Sequence, residues 1–227
     1  MHYTLHITDR CNLACTYCYV HKGTADMTLD TAKRAVDMAA QEGGHHGIIF
    51  FGGEPLLCRE RMEQIVDYAE RVMQKGGVFF HFKVTTNGLS MDESFLNWAD
   101  RHEVFVALSH DGIGNDCRIT PDGKDVSDAL DDAAKRLLAH KPYAPVLMTV
   151  TPRTLSRYAD GVKHLFDLGF RYLICSMDYS APWTDRDLIT LKRQYRRLAA
   201  LYREWTKKEE KFYLSPFEVK IASHIRS

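Results

Sequence analysis

Short apolar runs alternate with helix-patterned stretches six times along this chain of 227 residues. That alternation restricts the available folds more than any other feature. Tyr3–Thr8, Ile48–Phe51, Val78–Thr85, Val104–Leu108, Val146–Val150 and Tyr172–Ser176 read as strands. The runs between them read as helices: Met27–Glu42, Arg59–Lys75, Met91–Asp100, Ser127–His140, Leu155–Leu168 and Asp185–Glu210. Thr28 is placed to cap the first helix, Gly43-Gly44 and Gly76-Gly77 to stop the first two, and Gly169 to stop the fifth. Short apolar strands separated by helices call for a parallel sheet with both faces covered. The expected fold is α/β, a partial (β/α)6 TIM-like barrel with parallel strands, over residues 1–211; an open sheet of flavodoxin type is the rival. Residues 212–227 read either as a short cap or as a truncated extension.

The overall balance excludes some function classes. Thirty basic and thirty acidic side chains leave no net charge, which argues against a protein that works by gripping nucleic acid through its phosphates. No apolar run is long enough to span a membrane. The first residues lack the charged and apolar regions of a signal peptide, so a cytoplasmic location is expected. Three of the six cysteines fall within eight residues, and this clustering favours a cluster or metal site in a reducing compartment over a disulfide framework.

Those three are Cys11, Cys15 and Cys18, just past the C-terminal end of the first strand. Ligand sites of barrels and open α/β sheets lie at that end. Three thiolates can hold an iron–sulfur cluster with one iron left open. Zinc is the alternative, with His21 as a fourth ligand. The second strand ends in Gly52-Gly53-Glu54-Pro55. Its glycines let a ligand approach the backbone, and the Glu54 carboxylate can hold a cationic amine. The plainer reading is a tight strand-to-helix turn.

Together the two motifs resemble the radical S-adenosylmethionine (SAM) enzymes, and the resemblance runs over most of the chain. It implies a 4Fe–4S cluster on Cys11, Cys15 and Cys18, whose open iron is chelated by the amino and carboxylate groups of S-adenosylmethionine. Reductive cleavage of the sulfonium then gives a 5′-deoxyadenosyl radical that takes a hydrogen atom from the substrate. Thr86 and Asn87, in Thr85-Thr86-Asn87-Gly88, match the family as further cofactor contacts. Ser109-His110-Asp111-Gly112 resembles the Ser-x-Asp-Gly segment of peptide-modifying members, which assigns Ser109 and Arg118 to the cofactor's carboxylate or ribose. Tyr17 is assigned to support the adenine and Thr149 to face the cofactor. The family commonly has an aliphatic residue in place of His110, which here is either a substrate contact, a proton donor or a packing histidine.

The resemblance is strongest to sulfatase-maturing enzymes and maturases of ribosomally made peptides. A peptide or protein substrate is therefore expected, with a small-molecule or cofactor precursor as the alternative and a non-catalytic iron–sulfur or zinc module as the third reading. A flavodoxin or ferredoxin is the expected electron donor. No cysteine follows Cys175, so the auxiliary clusters of many such maturases are not expected here, and a partner protein is a further possible source of substrate recognition. Cys175 and Asp178, at the end of the sixth strand, are candidate catalytic residues. Cys58 reads as a packing residue of the second helix, Cys117 as part of a polar loop beside Arg118, His45-His46 as solvated surface, and the charged run 192–211 as the wet face of a long helix.

Overall fold

A computed structural model describes residues 1–113 and 117–225. The chain divides into two compact units, one of residues 1–12 and 18–107, the other of residues 13–17 and 108–227.

The first unit alternates strand and helix: β1 (His2–Thr8), α1 (Leu29–Glu42), β2 (Gly44–Gly52), a 3-10 turn (Pro55–Cys58), α2 (Arg59–Met73), β3 (Val78–Thr86) and α3 (Glu93–Arg101). β1 pairs with β2 and β2 with β3, both parallel. Thr28 caps α1 by accepting from the Thr31 amide, and Asp92 caps α3 by accepting from the Phe95 amide. Each cap satisfies an amide that the helix itself cannot. α1 buries Ala32, Val36 and Ala39, spaced to share one face. β2 and β3 bury Ile48, Phe50, Phe80, Phe82 and Val84, and leave His45, Phe79 and His81 exposed. The period of two along each strand sets this division.

β4 (Phe105–Ser109) begins in the first unit and ends in the second. The second unit continues with α4 (Ser127–His140), β5 (Pro145–Val150), a 3-10 turn (Leu155–Arg157), α5 (Tyr158–Leu168), β6 (Tyr172–Met177), α6 (Asp185–Lys207), β7 (Tyr213–Leu214) and α7 (Ser215–Ile225). β4–β5, β5–β6 and β6–β7 are parallel pairs. α6 opens with a capping box between Thr184 and Asp187. Its few inward residues are Gln194, Leu198 and Trp205. The Gln194 amide binds Ser156 O and the Ala159 amide, which ties α6 to the start of α5. Trp205 stacks on Phe166 at 3.8 Å between ring centres.

Strand order follows chain order from β1 to β7. The α/β class with parallel strands therefore stands, but the described residues form seven strands, not six. The seventh is only two residues long and left no apolar run to read. Tyr213 stacks on Tyr172 at 4.4 Å and its amide donates to Arg171 O, so pairing with β6 makes the strand. β2 also starts earlier than expected, at Gly44, and this corrects one reading. His45 is exposed, but His46 is buried, with Nε2 2.7 Å from Gly43 O.

Candidate active site

In the first unit, β1 runs into the cysteine loop and is anchored where it leaves the sheet. Asp26 accepts from the Thr8 hydroxyl at 2.6 Å and from Arg10 Nε and Nη2 at 3.0 and 2.8 Å. The Thr8 hydrogen bond first, and Arg10 second, hold the Asp26 carboxyl below its ordinary pKa. Arg10 also donates to Leu57 O.

Gly52 and Gly53 serve this crossing. The Gly53 amide donates to Thr8 O and the Glu54 amide to Arg10 O, both at 2.8 Å. A Cβ on Gly52 would collide with Thr8 O, and one on Gly53 with Arg10 O. The glycines therefore admit the protein's own backbone at Thr8 and Arg10. Gly53→Ala is expected to destabilise the fold by about 2 kcal/mol or more, because both colliding groups are main chain and cannot rotate away. A melting temperature within a degree of wild type would refute this.

Glu54 is 1% exposed and forms the hub of this half. Oε1 accepts from the Leu56 amide at 3.0 Å and the Thr86 hydroxyl at 2.7 Å, and Oε2 from the Asn87 amide at 2.7 Å. Glu54 was expected to meet a cationic amine; in the structure it clamps the end of β3 to the end of β2. Pro55, buried, sets the first residue of the 3-10 turn behind it. Asn87 continues the chain of contacts, since its Nδ2 donates to Asn12 Oδ1 at 2.8 Å. Asn12 lies between Cys11 and Cys15, and the sequence reading gave it no role. Its unremarkable spacing carried no signal; only the fold brings it to Asn87.

The second unit has a hub of its own at Asp111, which is 3% exposed. Its carboxylate accepts from the Tyr17 hydroxyl at 2.6 Å, from Arg118 Nη2 at 3.2 Å and from the Thr149 amide at 2.9 Å. Arg118 Nε lies 3.0 Å from Asp111 Oδ2, close enough for ion pairing but out of line for a hydrogen bond. The guanidinium also sits 5.5 Å over the Tyr17 ring. Burial opposes the charge on Arg118, but the facing Asp111 carboxylate outweighs it and holds the guanidinium pKa above its ordinary value. Burial likewise drives the Tyr17 phenol well above its usual range. Three of the expected cofactor residues, Tyr17, Arg118 and Thr149, thus meet on one carboxylate. Asp111 was legible as part of a motif, but its own part was missed. Ser109, half-buried, ends β4 opposite Leu147.

Leu13–Tyr17 belongs to the second unit, whereas Cys11 and Cys18 belong to the first. The Ala14 amide donates to Ile119 O and the Thr16 amide to Cys117 O, which fixes the backbone on both sides of Cys15. No disulfide joins the three cysteines; Cys11 and Cys15 are half-buried and Cys18 is exposed. Unbridged thiols are the soft donors that an iron–sulfur cluster requires.

Cys175 and Asp178 are more modestly placed. Burial pushes the Cys175 thiol up to about 12, with the nearby Tyr158 hydroxyl opposing the shift. Asp178 Oδ1 accepts from the Ser180 amide and hydroxyl, so it organises the turn after β6. Cys58 is buried in keeping with packing, and Cys117, read as part of a polar loop, is buried as well.

Residues 5–194 match the Radical SAM superfamily. The chain belongs to that family. Radical SAM enzymes use a 4Fe–4S cluster and S-adenosylmethionine. Of curated radical SAM relatives, the cysteine-type anaerobic sulfatase-maturating enzyme of Clostridium perfringens is 28% identical over 176 residues, or 72% of this chain and 47% of that protein. The GTP 3′,8-cyclase of Corynebacterium glutamicum is 39% identical over 113 residues, or 47% of this chain and 30% of that one. A solved structure of native anSMEcpe with bound AdoMet and Cp18Cys peptide superposes with a TM-score of 0.83 at 22% identity, covering 96% of this chain and 63% of that one. The radical SAM chain described here therefore spans less than two thirds of each. No helix among its described residues is long and apolar enough to cross a membrane.

His110 also has a pH signature. Burial lowers its pKa from 6.5 to about 4, against the pull of Asp131. The folded state thus holds a neutral imidazole that the unfolded chain would protonate first. Stability is expected to be flat above pH 7 and to fall as pH drops through 6.5 toward 4, by about 2 kcal/mol between pH 7 and pH 5. Urea midpoints at the two pH values, for wild type and His110→Gln, would test this; an equal drop in both proteins would refute it.

Proposed function

We propose that this chain supplies the radical-generating core of an enzyme that modifies a peptide or protein side chain. What carries the reading is likeness to sulfatase maturation: 28% identity over 72% of the chain, with a shared fold over 96% of it. When bound, the reduced cluster supplies the electron that splits S-adenosylmethionine into methionine and the hydrogen-abstracting radical. Cys11, Cys15 and Cys18 hold the cluster in this proposal. Glu54 fixes the strand-end turns at Gly52-Gly53 and Thr86-Asn87 that border the cofactor. Asp111 orients Arg118, Tyr17 and Thr149 for cofactor contact, and Ser109, at the end of β4, is a further contact in this proposal. Cys175 is kept protonated by burial, so it is suited to give up a hydrogen atom and not to attack as a thiolate.

A small-molecule substrate is the second reading, favoured by the 39% identity to a GTP cyclase over nearly half the chain. The deciding experiment is anaerobic reconstitution with iron and sulfide, followed by dithionite and S-adenosylmethionine, with 5′-deoxyadenosine measured by chromatography. Peptides encoded nearby and GTP are then compared for stimulation of that product, and deuterated substrate for label transfer into it. Label from a peptide supports the first reading; label from GTP alone replaces it with the second.

A further inference from the structure

His110 is fully buried and both ring nitrogens are engaged. Nδ1 accepts from the Gly112 amide at 3.0 Å. An imidazole that accepts at Nδ1 carries its proton on Nε2. Nε2 therefore donates to Asp131 Oδ1 on α4, at 2.9 Å. His164 on α5 brings its own Nε2 to the same oxygen at 3.0 Å. Two helices thus meet one side of the ring, while its other side fixes the backbone of residues 110–112.

That turn carries Asp111. It is tightly seated: Gly112 has φ +78°, and a Cβ there would collide with the Gly161 backbone on α5. A small rotation of the His110 ring would release the Gly112 amide and swing the carboxylate that holds Tyr17, Arg118 and Thr149. We infer that Asp131 and His164 are positioning residues, which act through His110 to hold the Asp111 hub in its binding geometry. The inference rests on the proposal that this hub serves S-adenosylmethionine. The three side chains are also close enough to grip a cation. A metal on His110 Nε2, however, needs the lone pair that the tautomer has replaced with a proton.

The test uses cluster-reconstituted protein and equilibrium dialysis of S-adenosylmethionine in the cold, with melting temperature measured alongside. Asp131→Leu removes the acceptor and is expected to weaken binding about tenfold, since small displacements of orienting groups act steeply. Asp131→Asn keeps an acceptor oxygen and is expected to stay within about twofold of wild type. If Asp131→Leu does not fold, His164→Phe leaves the His110 bond but removes its buttress, with an expected loss of about threefold. Asp111→Asn separates the two ideas. Unchanged affinity in that variant sinks the cofactor role of the hub, and the positioning role with it. Weakened affinity there, with unchanged affinity and only a lower melting temperature in Asp131→Leu or His164→Phe, overturns the positioning role alone. A rise in melting temperature on adding Zn²⁺, lost in His164→Ala, would also overturn it.

Discussion

Alanine at Cys15 is expected to leave a folded protein with no 4Fe–4S absorbance and 5′-deoxyadenosine at the no-enzyme background. The same loss is expected at Cys11 and Cys18. Three thiolates are the minimum for a cubane that leaves one iron open, so the site has no redundancy. No other thiol can substitute. Cys58 and Cys117 are buried, and burial holds the Cys175 thiol up to about 12 and therefore protonated. The fold should survive each change, because the loop is held by main-chain bonds from Ala14 and Thr16 and by the Thr8–Asp26–Arg10 anchor. Iron content and the spectrum of the reconstituted variants give the answer. An intact cluster in all three would remove these cysteines from the metal site.

The largest stability effect is expected at Glu54→Ala. Truncation strands three buried donors at once, the Leu56 and Asn87 amides and the Thr86 hydroxyl. Each orphaned group carries a desolvation penalty of about 1 kcal/mol or more. A loss of about 4 kcal/mol follows, or roughly a 10 °C fall in melting temperature for a chain of this size. Glu54→Gln should be milder, because its amide oxygen still accepts while its NH₂ group faces a donor. Calorimetry of both variants checks the order. A melting temperature in Glu54→Ala equal to wild type would show that the clamp is not a stabilising element.

Glu54 also shows how far a motif can be read. Gly52-Gly53-Glu54-Pro55 and the spaced cysteines were enough to identify the family, because their chemistry is local and each residue type is required. The sequence offered two readings of the glycines and the carboxylate, ligand contact or tight turn. The structure shows the turn, in which Gly53 accommodates Arg10 O and Glu54 accepts from β3. Asn12 and Asp111 escaped for a different reason. Their partners lie 75 and 94 residues away in Asn87 and Tyr17, and no period or spacing encodes such a pairing. His46 was misread because an N-terminal extension of β2 turned one of two adjacent polar residues inward, as the alternation of a strand requires.

Alternation of apolar strands and capped helices, each a matter of neighbours within a few residues, determined the α/β class, the parallel strands and most element boundaries from sequence alone. The cysteine run together with Gly52-Gly53-Glu54-Pro55 carried the resemblance to the family, and the family chemistry came with that resemblance. Tertiary structure decided what depends on distant partners: the seventh strand, which exists because Tyr213 stacks on Tyr172 beside β6; the two carboxylate hubs; and the neutral state of His110. A buried charge or imidazole takes its role from the groups that replace its water, and only the folded chain brings those groups together.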